Sequence, residues 1–154
     1  MKENKLYLSF TLGKEAFAVS VKKVLEVMQQ QKLTIVPNAP EYIKGVINFR
    51  GEIIPVVELR SKLNIPKRDA NEKYITIILE LNIAEQAIKL GAIADKVTDV
   101  ITISKKEIKD VPELGSTFNS NFLNGMIERD TQFIMLLDVD KVFSEEEIEI
   151  VQSV

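Results

Sequence analysis

Two stretches of this chain read as copies of each other. GVINFRGEIIPVVEL (Gly45–Leu59) and GMIERDTQFIMLLDV (Gly125–Val139) align without a gap. Gly45/Gly125, Ile47/Ile127 and Ile54/Ile134 are identical. Val46/Met126, Ile53/Phe133, Val56/Leu136, Val57/Leu137, Glu58/Asp138 and Leu59/Val139 are close in size and polarity. Each copy is two apolar runs around a polar bend, which is the pattern of a β-hairpin. A shorter echo precedes each one: Val24-Leu25-Glu26-Val27 and Val97-Thr98-Asp99-Val100. Two matches in the same order point to a duplicated, strand-rich chain, and the physical reading is two small β-barrels of similar build packed together.

The remaining pattern fits an all-β plan with few helices. Leu6, Leu8, Phe10 and Leu12 alternate with Lys5, Tyr7, Ser9 and Thr11, the period of a half-buried strand. Gly13-Lys14-Glu15 turns the chain into a second strand over Ala16–Val21. Val21, Val24, Leu25 and Met28 fall at helical spacing and predict a short amphipathic helix. Further strands are expected at Leu33–Val36, Gly45–Phe49, Ile53–Leu59, Tyr74–Leu81 and Ala87–Ala94. Pro55 marks a sheet edge or a bulge, because it cannot donate to a ladder. Lys67–Lys73 reads as a polar loop. Ser104–Glu107 and Ser144–Glu147 are S-x-x-E capping boxes, and the second opens a terminal helix whose Ile148 and Val151 would dock on the body. With 154 residues and no linker, the expectation is one unit spanning 1–154, built of two barrel subdomains.

Composition removes several kinds of chemistry. There is no Cys and no His, which excludes disulfides, thiolate or imidazole metal sites and Ser-His or Cys-His nucleophiles. Neither G-x-x-x-x-G-K-[ST] nor G-x-G-x-x-G occurs. No cofactor is expected. Twenty Lys and Arg against 23 Asp and Glu give a net charge of −3, without the basic balance of most nucleic-acid binders. No apolar run approaches the length of a membrane span, so no membrane insertion is expected. The start, MKENKLYLSF, lacks the apolar core of an export signal, and a cytoplasmic location follows as the expectation.

Arg50 stands out within the duplicated hairpin. Gly51 suits a tight bend, but Asn or Asp would serve position 50 better than Arg. The second copy has Asp130 and Thr131 at the bend and Glu128 opposite Asn48. The Arg-Gly bend is therefore expected to be dispensable to the architecture and specialised for something else.

The segment IKGVINFRGEIIPVVELRSKL resembles the signature of the CheW family of bacterial chemotaxis adaptors, in which I-x-G-V-I-N-x-R-G leads to a P-[IV]-V-[DE]-L-R strand end. The resemblance extends through LSFTLGKEAFAVSVKKVLEV, LGAIADKVTDVITI and FLNGMIERDTQFIMLLDVDKVF, nearly the whole chain. Phe49 and Glu58 are mild departures from the commoner Leu and Asp. The resemblance implies two five-stranded SH3-like barrels with a groove between them. It also implies a non-enzymatic role, bridging the cytoplasmic tips of methyl-accepting chemotaxis receptors to the regulatory domain of the histidine kinase CheA. With neither a kinase catalytic segment nor a receiver domain in the sequence, a free-standing adaptor at receptor clusters is expected.

The resemblance also places binding surfaces. Arg50 is the first candidate, since its rigid fork can hold a carboxylate or backbone carbonyls in two directions. Asn48 is read as orienting it or pairing with the groove backbone. Val24, Glu26 and Val27 form a partner-binding segment, although a valine on a helical stripe is more often core. Gly45 combines close backbone packing with a partner-facing position. Val97, Asp99 and Val100 are the equivalents in the second copy, while Gly91 is read as structural.

Two readings from other classes compete with this one. A nucleic-acid-binding β-barrel needs aromatics interleaved with Lys and Arg on one face, and the chain has seven Phe, three Tyr and no Trp. An enzyme working with carboxylates alone would need a distinguished Asp/Glu pair, and no spacing marks one.

Overall fold

The computed structural model describes residues 4–111 and 120–153; the charged start at 1–3 lies outside them. The described residues form ten strands: β1 (Asn4–Leu12), β2 (Glu15–Ser20), β3 (Val24–Gln29), β4 (Ile43–Phe49), β5 (Glu52–Glu58), β6 (Ile75–Ile83), β7 (Gln86–Ala94), β8 (Lys96–Ser104), β9 (Leu123–Arg129) and β10 (Gln132–Leu137). Three α-helices accompany them: α1 (Leu59–Lys62), α2 (Val139–Val142) and α3 (Glu145–Ser153).

The strands form two five-stranded sheets, ordered β8-β1-β2-β10-β9 and β3-β6-β7-β5-β4. Position by position the two orders are equivalent. The chain runs hairpin, single strand, hairpin (β1–β2, β3, β4–β5), and then repeats that run (β6–β7, β8, β9–β10). Each sheet nevertheless takes its first hairpin from one half of the chain and its single strand and second hairpin from the other. The halves are exchanged, so neither half owns a complete sheet. This is the two-sheet, SH3-like plan with short helices, arranged in a way that periodicity alone could not reveal.

The duplication holds pair for pair. β4 and β5 pair from Phe49↔Glu52 to Ile43↔Val57 with Lys44 as the extra residue, and β9 and β10 pair from Arg129↔Gln132 to Leu123↔Leu137 with Asn124 as the extra residue. After each hairpin comes a one-turn helix whose preceding carboxylate accepts a backbone N–H, Glu58 from Arg60 and Asp138 from Asp140. A single bridge brings the two edges of each sheet together, Thr34↔Val46 in one and Lys109↔Met126 in the other.

Apolar residues on both faces of the strands explain this packing. One face of each sheet contributes to a shared core that includes Phe10, Leu12 and Phe17 from the first sheet with Ile77, Leu79, Leu81 and Leu90 from the second. The phenyl rings of the cross-strand pair Phe10 and Phe17 stack at 6.0 Å. The opposite faces close over smaller clusters, Ile127, Ile134 and Leu136 in one sheet and Ile47, Ile54, Val56 and Ile78 in the other. Helix α3 buries Ile148 and Val151 in the shared core, and Ser144 and Glu147 exchange the hydrogen bonds of a capping box.

Three local expectations are corrected. Val21–Met28 is not a helix: a short 3-10 turn at Val21–Lys23 leads into β3. The strand carries a bulge between Val24 and Glu26, and Leu25 and Met28 both pack on the Ile47–Ile78 cluster. An extra residue in a strand mimics the three-residue spacing of a helix. Leu33–Val36 is not a strand beyond the single bridge at Thr34. Pro55 lies in β5, which is internal, but pairs with β7 begin only at Val56. Counting from the turn, Val46↔Pro55 is a pair without ladder hydrogen bonds, so no donor to β4 is lost, and the missing N–H falls on the β7 side, where the ladder starts one residue later.

Candidate functional site

The turn joining β4 and β5 has φ of +52° at Arg50 and +86° at Gly51, the two-residue type I′ turn that matches the twist of the strands. Gly51 adopts this freely. An Arg in the left-handed region costs about 1 kcal/mol, so the sequence places a strained, charged residue where Asn is favoured. Asn48 braces the turn, its Oδ1 accepting the Gly51 N–H at 3.1 Å, and does not orient Arg50.

Arg50 donates to Glu26 Oε1 at 3.0 Å and lies 4.8 Å from the centre of the Phe49 ring. Glu26 belongs to β3 and Arg50 to the tip of the β4–β5 hairpin. β3 and β4 are the two edges of one sheet, so the pair clasps them together. It is open to solvent, with side chains 68% and 41% exposed. The other sheet has its own clasp: Arg129 donates to Glu107 at 2.5 Å and to the Thr102 carbonyl at 2.8 Å. Arg129 occupies the register position of Phe49. The second copy therefore does have an edge-joining arginine, one residue before the bend, which corrects the expectation that it folds without one. Glu107 is held below its ordinary range chiefly by the hydrogen bond from Arg129.

The V-x-[DE]-V segments sit on equivalent bulges. Val24 pairs with Leu79 and Val97 with Phe10, and both valines are half-buried against the shared core. Val27 and Val100 are 42% and 52% exposed. Asp99 caps the Val100 N–H at 2.8 Å, whereas Glu26 reaches across to Arg50. Thus Glu26, Val27, Asn48 and Arg50 belong to one sheet and Val97, Asp99 and Val100 to the other. Gly45 takes no part in the exposed cluster. It is buried with φ of +155°, and a Cβ there would lie 2.7 Å from the Thr34 carbonyl oxygen. Gly125 repeats this against Lys109, at 2.8 Å. Gly91 is packed against Thr76 as a structural position.

A polar cluster that the sequence did not reveal ties the exchanged halves together. Arg60 Nη2 donates to both Asp95 oxygens at 2.9 Å, Arg68 Nη1 to Asp95 at 2.6 Å, and the Gly13 N–H to Asp95 at 2.7 Å. Arg68 also pairs with Glu58 at 3.0 Å and Arg60 with Glu72 at 3.2 Å. Burial alone would push the Asp95 carboxyl up, but hydrogen bonds from Arg60, Arg68 and Gly13 outweigh it and hold it below its ordinary value. Asp95 stands where the chain leaves one sheet for the other, and Gly13 is the turn of the first hairpin. The loop expected to be merely polar, Lys67–Lys73, thus carries an arginine whose side chain is largely covered, at 8% exposed. The one sequence signal was the E-L-R strand end itself, which holds Glu58 and Arg60.

Among the described residues, no cluster of three or more His, Cys, Asp or Glu is arranged to hold a metal, and no helix is long and apolar enough to cross a membrane. Among the described residues the exposed large apolar side chains are Leu6, Val27, Ile35, Ile53, Val100, Phe133 and Ile150, with a single aromatic among them. That surface gives no support to base stacking, and it suits contact with apolar protein surfaces.

Comparisons with known proteins agree with this geometry. The profile of a family described as the CheW-like domain matches residues 6–147. The chain is 32% identical to the chemotaxis protein CheW of Klebsiella aerogenes over 148 residues, covering 96% of this chain and 87% of that protein. It is 31% identical to the chemotaxis protein CheW of Bacillus subtilis, covering 95% and 91%. The crystal structure of the scaffolding protein TtCheW from Thermoanaerobacter tengcongensis is similar with a TM-score of 0.80 and 32% identity, covering 94% of this chain and 90% of that one.

Proposed function

This chain belongs to the CheW-like domain family, and from that premise we propose that it is a non-enzymatic adaptor coupling the cytoplasmic tips of chemoreceptors to the regulatory domain of the histidine kinase CheA. The observation that carries the reading is the exposed Arg50–Glu26 clasp beside Val27. It joins the two segments in which the family signature lies. A solvent-facing ion pair on a strained turn adds little to folding and offers a charged, apolar-flanked surface to a partner.

In this reading the whole chain acts as one module of two SH3-like barrels with a groove between them. The groove takes the receptor, because receptor tips are helical and a helix binds by laying its apolar stripe in an apolar groove. The kinase regulatory domain docks on the sheet that carries Val24, Glu26, Val27, Asn48 and Arg50, with Gly45 supporting that surface from beneath. Val97, Asp99 and Val100 form the corresponding surface of the other sheet. The protein would then work in the cytoplasm at receptor clusters, held there by its partners. Separate pull-downs with a kinase regulatory domain and a receptor signalling-tip fragment test it. Capture of both supports the adaptor; capture of neither removes it.

A further inference from the structure

One end of the second sheet is open where the first is plugged. Val27 and Val100 hold equivalent positions, so counting on from them makes Met28 the counterpart of Ile101 and Gln30 that of Ile103. Ile103 is 1% exposed and packs in the cluster of Ile127 and Ile134. Met28 packs likewise on the Ile47–Ile78 cluster, but Gln30 is exposed. An amide gains nothing by turning into an apolar cluster without a partner, so Gln30 leaves that end uncapped. Its Oε1 accepts the Tyr74 N–H at 3.2 Å instead.

A cavity of about 450 Å³ lies at this end, within the size range of small-molecule sites. Leu33, Ile35, Ile65, Tyr74 and Ile93 give it an apolar lining. They come from separate segments, the β3–β4 connection, the loop after α1, the approach to β6 and β7 itself, so the cavity is a cup and not a flat patch. Most of the charges around it are spent. Arg60, Arg68 and Glu58 belong to the Asp95 cluster, Glu72 is bonded to Arg60 and to the Asp69 N–H, and Lys67 pairs with Glu41. Lys32 and Lys44 also line the cup and have no ion pair among the described residues, while Asp69 is the single lining carboxylate without one. Two unpaired cations against one unpaired carboxylate leave one positive charge to be matched. The Tyr74 hydroxyl has no hydrogen bond among the described residues either, and burial, the largest influence on it, raises its pKa and keeps it a donor.

We propose that this cup binds a small amphipathic monoanion, an apolar body carrying one carboxylate. The body takes the place that Ile103 fills in the other sheet and covers Leu33, Ile65 and Ile93. The carboxylate meets the ammonium groups of Lys32 and Lys44 and is within the lining that also holds the Tyr74 hydroxyl. A phosphate dianion fits less well, because it exceeds the one spare charge and the guanidinium forks of Arg60 and Arg68 are already spent on carboxylates. Lys44 stands at the start of β4 and Arg50 at its far end, so the cup is separate from the Arg50–Glu26 clasp and does not depend on which partners that clasp serves.

The test is methyl NMR of the full chain titrated with octanoate up to millimolar concentration. Saturable shifts should fall at the Leu33, Ile65 and Ile93 methyl groups. Hexanoate, shorter by two methylenes, should bind about tenfold more weakly. Octylammonium should also bind about tenfold more weakly, since it meets two lysines with the wrong sign. Gln30→Ile, which plugs the cup as Ile103 plugs the other sheet, should weaken octanoate by about tenfold. Lys32→Glu combined with Lys44→Glu should make octylammonium the tighter ligand, with Leu79 and Leu90 amide protection showing that each variant is folded. The proposal is overturned if the three methyl sites do not respond, if exposed Leu6 and Val100 respond equally, or if Gln30→Ile binds octanoate as well as the parent. Equal binding of octanoate and octylammonium by the parent overturns the assignment of the charge.

Discussion

Replacing Arg50 with Gly separates folding from binding at a single position. Three contributions to stability are lost or gained. The pair with Glu26 is largely exposed, at 68% and 41%, and such pairs contribute about 0.2–1 kcal/mol. The contact with the Phe49 ring at 4.8 Å contributes about 0.5–1 kcal/mol at an exposed site. Against these stands relief of the φ of +52°, which Gly adopts without the cost of about 1 kcal/mol that Arg bears. The contributions nearly cancel, so urea unfolding should give a stability within about 1 kcal/mol of the parent. Binding has no such compensation. An interface arginine that anchors a partner should cost about 1–3 kcal/mol when removed, a rise in Kd of about fivefold to 150-fold by calorimetry with the kinase regulatory domain. Arg50→Ala, which keeps the strain, should bind as poorly and be slightly less stable than Arg50→Gly. Stability reduced by more than about 2 kcal/mol with an unchanged Kd would refute this reasoning and make the clasp a structural prop.

Three further outcomes follow from the same geometry. Asp95→Asn should destabilise the protein by about 2–3 kcal/mol, because buried Arg60 and Arg68, whose side chain is 8% exposed, lose their shared carboxylate, as urea unfolding will measure. The Asp95 carboxyl is depressed on folding, so its contribution is fully present above the unfolded value near 3.8 and is lost as pH falls through the folded value; the variant should show a flatter acid limb in unfolding-versus-pH data. Gly45→Ala and Gly125→Ala should each cost more than about 2 kcal/mol in thermal or urea unfolding, since the added Cβ meets a carbonyl oxygen at 2.7 or 2.8 Å and φ is positive in both. Cutting the chain in the loop between α1 and β6 should leave two fragments that are unfolded alone and regain β-sheet circular dichroism when mixed, because each sheet takes strands from both halves. A fragment that folds by itself would refute the exchange.

What the sequence made legible depended on how locally each feature was encoded. The hairpins at Gly45–Leu59 and Gly125–Val139 were readable because turn, alternation and bulge all lie within one short segment. Val21–Met28 mimics a helix in sequence because the bulge beside Leu25 breaks the period of two that identifies a strand. The exchange of halves left no local trace, since strand order is decided by which apolar faces meet in the shared core. The Asp95 cluster was hidden for a similar reason: its arginines lie 27 and 35 residues away in sequence and meet only where the chain crosses between sheets. At the candidate site, Arg50 and Glu26 were both singled out, yet their pairing was not, because it joins opposite edges of a sheet that must first close. Arg129 was overlooked because it performs the same task from the neighbouring register position.

An adaptor must hold both partners at once, so its two footprints cannot coincide. Each contact alone is expected to be around micromolar, with the avidity of a cluster supplying the rest. The direct measurement is fluorescence anisotropy of a labelled kinase regulatory domain bound to this protein, titrated with a receptor signalling-tip fragment. Bridging predicts that the kinase domain stays bound and the anisotropy rises as a three-component complex forms. Displacement of the kinase domain by saturating receptor fragment would mean one shared site, and would contradict the bridging account.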